Sequence, residues 1–233
     1  MNTKPKDSFY ERLTVLFKRR SEIALCCGIL TLLLAFYGII SVLTRTMIIY
    51  HENGFLSFSY STIVSYMLAA LSAAFGLPHI AEGIRKKRFI LPKWVSVTHF
   101  MATVTLITMM FFVLPFMDES FSYNPFGEPN PVTHVLCPIL ILICFFQMES
   151  GNLFTWKDRL LGIIPFFLYL IVYLIEVAVA GAKNGGWQGI DQFIDYIFPS
   201  LAAFLTLIPA FGISIAIALV SNHLTKKYFT EKQ

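Results

Sequence analysis

Six long apolar stretches, with basic residues concentrated in every second connection, constrain this 233-residue chain more than any other feature. The stretches cover residues 23–44, 55–77, 94–114, 132–148, 160–181 and 195–221. An α-helix rises ~1.5 Å per residue, so about 20 apolar residues cross the hydrocarbon core of a bilayer. The sequence therefore predicts an all-α polytopic membrane protein with six transmembrane helices, of which the fourth is the shortest.

The 18 Lys and Arg residues are unevenly distributed between the two sides of this arrangement. Sixteen lie in the N-terminal segment, the second and fourth connections and the C-terminal tail, whereas the other three connections contain only Arg45 and Lys183. Because short cytoplasmic loops accumulate Lys and Arg, this bias predicts that both termini are cytoplasmic. The predicted organisation is a basic N-terminal segment (1–22), a six-helix transmembrane domain (23–221) and a basic tail (222–233).

The overall composition excludes two broad classes of protein. The chain is 56% hydrophobic and 14% charged, with a mean hydropathy of +0.67, which fits neither a soluble domain nor a disordered chain. The net charge of +4 follows the topology and does not indicate nucleic-acid binding, so the expected partners are membrane lipids. No secretory signal is expected, because the first apolar stretch is longer than a signal peptide's apolar region.

The four cysteines, Cys26, Cys27, Cys137 and Cys144, all lie within the predicted spans. Their spacing contains no CxxC pair, and free Cys in an apolar segment usually behaves as a small buried hydrophobic residue. We therefore expect buried free thiols, with neither a disulfide framework nor a thiolate metal site.

Polar side chains inside a span are costly and need a structural or functional reason. With the predicted topology, Thr62, His134, Glu176 and Asp195 each lie towards the outer end of a different span. These residues are far apart in sequence but share the outer half of the membrane. The topology therefore predicts that they can meet in one region.

Helical spacing adds a second argument for a shared polar region. Ser59, Thr62 and Tyr66 follow each other at three- and four-residue steps, as do Tyr169 and Tyr173, with Glu176 three residues further on. Polar stripes on membrane helices turn towards the interior of the bundle. The pattern predicts a cavity that opens towards the outer leaflet.

Less specific interpretations of the same residues stay open at this point. A stripe of small and hydroxyl residues also packs helices together, and an interfacial His often only satisfies a hydrogen bond. Tyrosines near a membrane boundary are typical of the aromatic belt. Glu176 suits an ion pair with Arg45 as well as a functional role, and the spacing of His and acidic residues does not favour a metal site.

Residues 60–68, Tyr-Ser-Thr-Ile-Val-Ser-Tyr-Met-Leu, resemble the second-span signature of a known family. This is the androgen-induced and androgen-dependent TFPI-regulating protein family of transmembrane threonine hydrolases, with its bacterial relatives. Residues 133–138, Thr-His-Val-Leu-Cys-Pro, resemble the family's His motif, and Pro165, Tyr169, Tyr173 and Asp195 form a looser third match. The resemblance extends from about Phe55 to Asp195; it departs at Ser65-Tyr66, where bacterial relatives commonly have Ser-Asn.

The resemblance implies intramembrane hydrolysis of a fatty acid ester, with Thr62 as nucleophile and His134 as base. It also implies a bacterial cytoplasmic membrane as the location. In this hypothesis Glu176 orients or charge-stabilises His134, as the third member of a catalytic triad does. No metal and no organic cofactor is expected. The remaining candidates line the substrate cavity: Ser59, Ser65, Tyr66, Tyr169, Tyr173 and Asp195.

An alternative from a different class fits the same polar cavity. The chain would then be a non-catalytic lipid-binding or small-molecule-binding membrane protein, or a transporter. Transporters often contain internal repeats with broken helices at the membrane midplane, and this sequence contains no recognisable repeat.

The predicted topology can be tested by cysteine accessibility. A single Cys placed between Asp118 and Glu128 should react with a membrane-impermeant reagent applied from outside, because this loop carries no Lys or Arg. A Cys placed between Arg85 and Lys93 is the matched control and should react only after the membrane is opened. The reverse pattern of labelling would contradict the predicted orientation.

Overall fold

The computed structural model describes residues 6–44, 47–48, 61–86, 91–113, 132–148, 152–179 and 205–226. Side chains are described in these ranges except at 6–19, 61, 112–113, 132, 173–174 and 176–179. This part of the chain is helical and contains no strand. Its six helices are α1 (Lys6–Thr44), α2 (Ser61–Lys86), α3 (Lys93–Thr108), α4 (Cys137–Met148), α5 (Trp156–Val179) and α6 (Leu207–Thr225). A π-helical turn continues α3 over Met109–Val113, and another precedes α4 over Val132–Leu136.

Several of these helices have the length and composition of membrane spans. Four segments are long and apolar enough to cross a bilayer: Arg20–Thr44, Thr62–Lys86, Lys93–Phe111 and Leu207–Thr225. Thr133–Met148 is apolar but shorter, in agreement with the short fourth stretch of the sequence. The predicted all-helical class is therefore confirmed for the described residues, and four of the helices are compatible with an integral membrane protein.

Helix ends differ from the predicted spans at several positions. Helix α1 begins at Lys6, inside the N-terminal segment predicted over residues 1–22. It is 39 residues long and continues without a break into the first predicted span. Helix α2 continues past residue 77 to Lys86, where a Glu82–Lys86 ion pair spans one turn. Basic residues near a helix C-terminus interact favourably with the helix dipole, which extends the helix beyond its apolar part. The predicted start of the sixth span at residue 195 lies outside the described residues.

Helix α3 is the central element of the bundle. It packs against α2, α4, α5 and α6, whereas α1 packs mainly on α2 and α4, and α5 packs on α6. In α3, 72% of the apolar stretch is buried inside the protein, compared with 50% in α2, 33% in α1 and 28% in α6. The helices are thus two groups, α1–α2–α4 and α5–α6, that α3 joins.

The central position of α3 buries several of its polar residues. Thr103 Oγ1 donates a hydrogen bond to the His99 carbonyl at 2.7 Å, and Thr105 Oγ1 donates to the Met101 carbonyl at 2.8 Å. These bonds to the preceding turn satisfy the hydroxyls within the helix itself. The buried His99 ring stacks on Phe145 of α4, with the ring planes 7° apart and the centroids 6.1 Å apart.

One end of the bundle, which we call the basic end, contains Arg20, Lys86, Lys93, Asp158 and Asn222. Here residues 152–155 connect α4 to α5 and are clamped by α6. The Asn222 side chain accepts a hydrogen bond from the Phe154 N–H at 2.7 Å and donates one to the Phe154 carbonyl at 2.8 Å. Buried backbone groups outside a helix need hydrogen-bond partners, and the Asn222 side chain supplies them for the N–H and carbonyl of Phe154.

The start of α5 at the basic end is a capping box. The Asp158 carboxylate accepts hydrogen bonds from the Thr155 N–H at 2.6 Å and from its hydroxyl at 2.8 Å, and Lys93 lies 2.9 Å from the same oxygen. Burial alone raises the pKa of the Asp158 carboxyl, but the bonds from Lys93 and Thr155 outweigh it and hold that pKa below its usual range. The ion pair therefore ties the first turn of α3 to the first turn of α5.

Gly162 marks the closest approach of α5 to the rest of the bundle and allows a test of the packing. A Cβ atom at Gly162 would come within 2.6 Å of Phe100 Cε1 and of Ser214 Oγ, whereas a Cβ atom at Gly212 would have no neighbour within 4 Å. We expect Gly162→Ala to reduce the free energy of unfolding by about 1–3 kcal/mol through overpacking. Gly212→Ala is the matched control and should be neutral or stabilising by up to about 1 kcal/mol. Thermal unfolding of both variants in detergent measures the difference; equal melting temperatures would contradict this packing.

Candidate functional site

The end of the bundle away from the basic end, which we call the opposite end, contains the first turns of α2 and α4. Thr62 lies in the first turn of α2 and is 8% exposed, and Ser65 and Tyr66 follow it on buried positions. Ala69, Ala73 and Gly76 continue the buried face one and more turns further along. The face of α2 that the helical spacing predicts to turn inward is therefore the buried one.

The side chain of Tyr66 packs against α1. A Cβ atom at Gly38 would come within 2.6 Å of the Tyr66 ring, so the ring lies directly against the backbone of α1. Tyr66 belongs to a buried cluster that includes Ala35 of α1, Met110 of the first π turn and Cys137 of α4. The phenol ring is thus a packing element between the helices at this end.

The π turn before α4 presents the second candidate group. His134 is partly buried on this turn, and Thr133 beside it is buried. Both residues have interaction partners in the structure. Pro138 follows four residues after His134; it lacks an N–H, and its ring clashes with the carbonyl four residues earlier in a regular α-helix. A π turn relieves this clash, and such turns are frequent at functional sites.

One residue near the beginning of α2 and one at the beginning of α4 belong to the same buried cluster. Tyr66 and Cys137 share a buried cluster, Thr62 lies one turn before Tyr66, and His134 lies three residues before Cys137. The π turn that carries His134 packs mainly on α1, so α2 and α4 are linked at this end through α1 and α3. Ser65 lies about one turn below Thr62, on the same side of α2.

Tyr169 of α5 lies in a different part of the packing. It is buried, but α5 packs mainly on α3 and α6, and Tyr169 does not belong to the cluster that contains Tyr66 and Cys137. The side chains of Tyr173 and Glu176 lie outside the described part of the chain, as do residues Ser59 and Asp195 altogether. Among the described residues, the candidates at the opposite end are therefore Thr62 and Ser65 on α2 and Thr133 and His134 on the π turn.

The cysteines follow the sequence-based expectation with one exception. Cys27, Cys137 and Cys144 are buried free thiols, whereas Cys26 is exposed on the outside of α1. Adjacent residues of a helix point in directions about 100° apart, so Cys26 and Cys27 cannot both face the interior. No group of three or more His, Cys, Asp or Glu side chains suited to a metal ion occurs in the residues that the structure describes.

A polar network of side chains at the basic end was missed by sequence reasoning. It consists of the Asn222 clamp, the Thr155–Asp158 capping box and Lys93. The pattern Thr-x-x-Asp before an apolar run is a recognisable signal for a helix start, so Thr155 and Asp158 were predictable. No local signal identifies Asn222, because its partner Phe154 is 68 residues away.

No protein-family model, curated protein or solved structure matches this chain. The chemistry available at the opposite end is that of a hydroxyl and an imidazole, with further hydroxyls beside them. An imidazole within hydrogen-bond reach of a hydroxyl can accept its proton and make it nucleophilic. The side chains of Thr62 and His134 are thus capable of covalent catalysis if they meet.

Cross-linking tests whether Thr62 and His134 meet. In a background without the four native cysteines, Thr62→Cys combined with His134→Cys should be joined efficiently by a short bifunctional thiol reagent. Thr62→Cys combined with Leu136→Cys is the matched control, because Leu136 lies on the same π turn but is 43% exposed on the outside. Gel mobility or mass spectrometry measures the extent of cross-linking. Equal cross-linking of the two pairs would show that His134 does not face Thr62.

Proposed function

We propose that this protein is an intramembrane hydrolase of a lipid ester, with Thr62 as nucleophile and His134 as general base. The observation that carries the proposal is the buried cluster at the opposite end, which contains Tyr66, one turn after Thr62, and Cys137, three residues after His134. The motif resemblance assigns its two roles to Thr62 and His134. The substrate class is a fatty acid ester, because only a lipid-soluble molecule reaches a buried site from the bilayer.

The mechanism follows from the two side chains. His134 accepts the Thr62 hydroxyl proton while Thr62 Oγ1 attacks the ester carbonyl, and it then returns the proton to the leaving alcohol. A water molecule, deprotonated by His134, attacks the resulting acyl-threonine; the acid is released and the proton returns to Thr62. The products are a fatty acid and an alcohol.

Neighbouring groups supply the remaining functions in this proposal. Ser65, one turn from Thr62, is the candidate donor to the oxyanion, and Tyr173 is a second one. Glu176 orients His134 and stabilises its protonated form, as the carboxylate of a catalytic triad does. The mechanism uses no metal and no cofactor.

The proposal includes an orientation in the membrane. Six spans with both termini in the cytoplasm, as the distribution of Lys and Arg favours, put the basic end inside and the opposite end in the outer leaflet. Trp94 and Trp156 at the basic end are each 54% exposed, which is typical of tryptophans at a membrane interface. We propose the cytoplasmic membrane of a bacterium as the location, because the motifs resemble those of bacterial relatives.

A second candidate function is lipid binding without catalysis. The observation that favours lipid binding is the packing of the Tyr66 ring against Gly38. This contact shows that part of the polar stripe of α2 serves helix packing. A site with this role would bind an acyl chain at the opposite end and leave the ester intact. The two functions differ in whether the Thr62 hydroxyl is required.

Substitutions of the two catalytic candidates test hydrolysis directly. Thr62→Val keeps the shape of the side chain and should abolish turnover, whereas Thr62→Ser keeps a hydroxyl and should retain part of it. His134→Ala should cost about as much as the double variant, because nucleophile and base act as one unit. The measurement is hydrolysis of a panel of long-chain and hydroxy fatty acid esters by protein in nanodiscs.

Controls separate this result from misfolding. Ser72→Ala changes a buried hydroxyl of α2 that bonds only to the carbonyl of Ala69 in its own helix, so it should keep full activity. Wild-type turnover equal to that of Thr62→Val across the panel would reject the mechanism. Binding of the same esters by both proteins would then favour the lipid-binding function.

A further inference from the structure

An arginine at the basic end has one guanidinium nitrogen that is buried without a hydrogen-bond partner among the described residues. Arg159 lies in the first turn of α5, and its Nε atom is buried without a hydrogen-bond partner in the described structure. Its guanidinium carbon lies 5.6 Å from the centre of the Trp156 ring, which is a cation–π contact. A guanidinium has five N–H donors, so this group has donors to offer to an acceptor.

The nearby carboxylates do not supply that acceptor. Asp158 precedes Arg159 in sequence, but its carboxylate is used by Lys93 and by the N–H and hydroxyl groups of Thr155. Glu82 pairs with Lys86 on α2. Among the described residues, Arg159 therefore has no ion-pair partner, while the exposed Lys157 adds a second positive charge beside it.

The structure holds Trp156 and the backbone of Arg159 firmly at the contact between α5 and α6. Phe211 of α6 packs edge-on against the Trp156 ring, with centroids 5.7 Å apart and planes at 90°. The hydroxyl of the fully buried Ser214 donates a hydrogen bond to the Arg159 carbonyl at 2.6 Å. Both contacts fix the position from which the guanidinium extends.

This pair lies next to exposed apolar residues of α5. Leu160, one turn after Trp156, and Leu168 are exposed apolar residues, as required on a face that contacts lipid tails. On the other side of Trp156, residues 152–155 lie outside regular helix and include the polar residues Asn152 and Thr155. Trp156 and Arg159 thus lie at the start of α5, where its exposed apolar face begins.

We infer that Trp156 and Arg159 form a binding site for the headgroup of an anionic phospholipid. The guanidinium donates hydrogen bonds to the phosphate, the Trp156 ring lies at the level of the glycerol backbone, and Lys157 adds attraction for the negative charge. The acyl chains then lie along the exposed apolar face of α5. This site is at the basic end and does not depend on ester hydrolysis at the opposite end.

The test uses the purified full-length chain in detergent, titrated with phosphatidylglycerol or phosphatidylcholine. Native mass spectrometry counts bound lipid, and thermal unfolding measures stabilisation. We expect phosphatidylglycerol to bind about tenfold more tightly than phosphatidylcholine, and Arg159→Gln to lose that preference, because a bond to a charged group is removed. Lys86→Gln is the matched control: it removes one positive charge at the same end, but that charge is already paired with Glu82.

Two further comparisons make the result specific. Arg159→Lys keeps the charge without the planar fork, and Trp156→Leu removes the ring; both should bind phosphatidylglycerol more weakly than wild type. Free glycerol phosphate at the same concentration should not stabilise the protein. Equal affinity of Arg159→Gln and Lys86→Gln for phosphatidylglycerol would overturn the site. If Arg159→Gln fails to fold, wild-type affinity of both Arg159→Lys and Trp156→Leu for phosphatidylglycerol would overturn it instead. Full stabilisation by glycerol phosphate would overturn the assignment to a lipid.

Discussion

The burial of α3 is the constraint on which the rest of this bundle depends. A helix inside a membrane protein must satisfy its polar groups internally, because lipid offers no hydrogen bonds. Helix α3 meets part of this demand with threonines that bond to the turn before them, as Thr103 and Thr105 do, whereas the buried His99 ring nitrogens and the Thr108 hydroxyl have no such partner among the described residues. It can therefore contact α2, α4, α5 and α6 at once and join two groups of helices that otherwise have few contacts.

The two ends of the bundle solve different physical problems. At the basic end, the connection between α4 and α5 is held by side chains of α3, α5 and α6, with Lys93, Asp158 and Asn222 as the principal partners. At the opposite end, Pro138 prevents regular helical bonding and the chain enters α4 through a π turn.

The two proposals use these ends separately. Hydrolysis of a lipid ester requires the hydroxyl of Thr62 and the imidazole of His134 at the opposite end. Binding of an anionic headgroup requires Arg159 and Trp156 at the basic end, where the membrane surface is expected. Both would place lipid against the same bundle, one as substrate and the other as a structural partner.

The sequence by itself determined the helical class, the membrane character and the inward face of α2, because all three depend on apolar content and helical periodicity. It also contained the Thr155–Asp158 capping signal, since capping residues lie within one turn of each other. Only the tertiary structure decided that Tyr66 packs on Gly38, that Asn222 clamps Phe154, and that α5 packs away from α2 and α4. These contacts join residues far apart in the chain, and a local pattern of hydropathy does not specify which helices become neighbours.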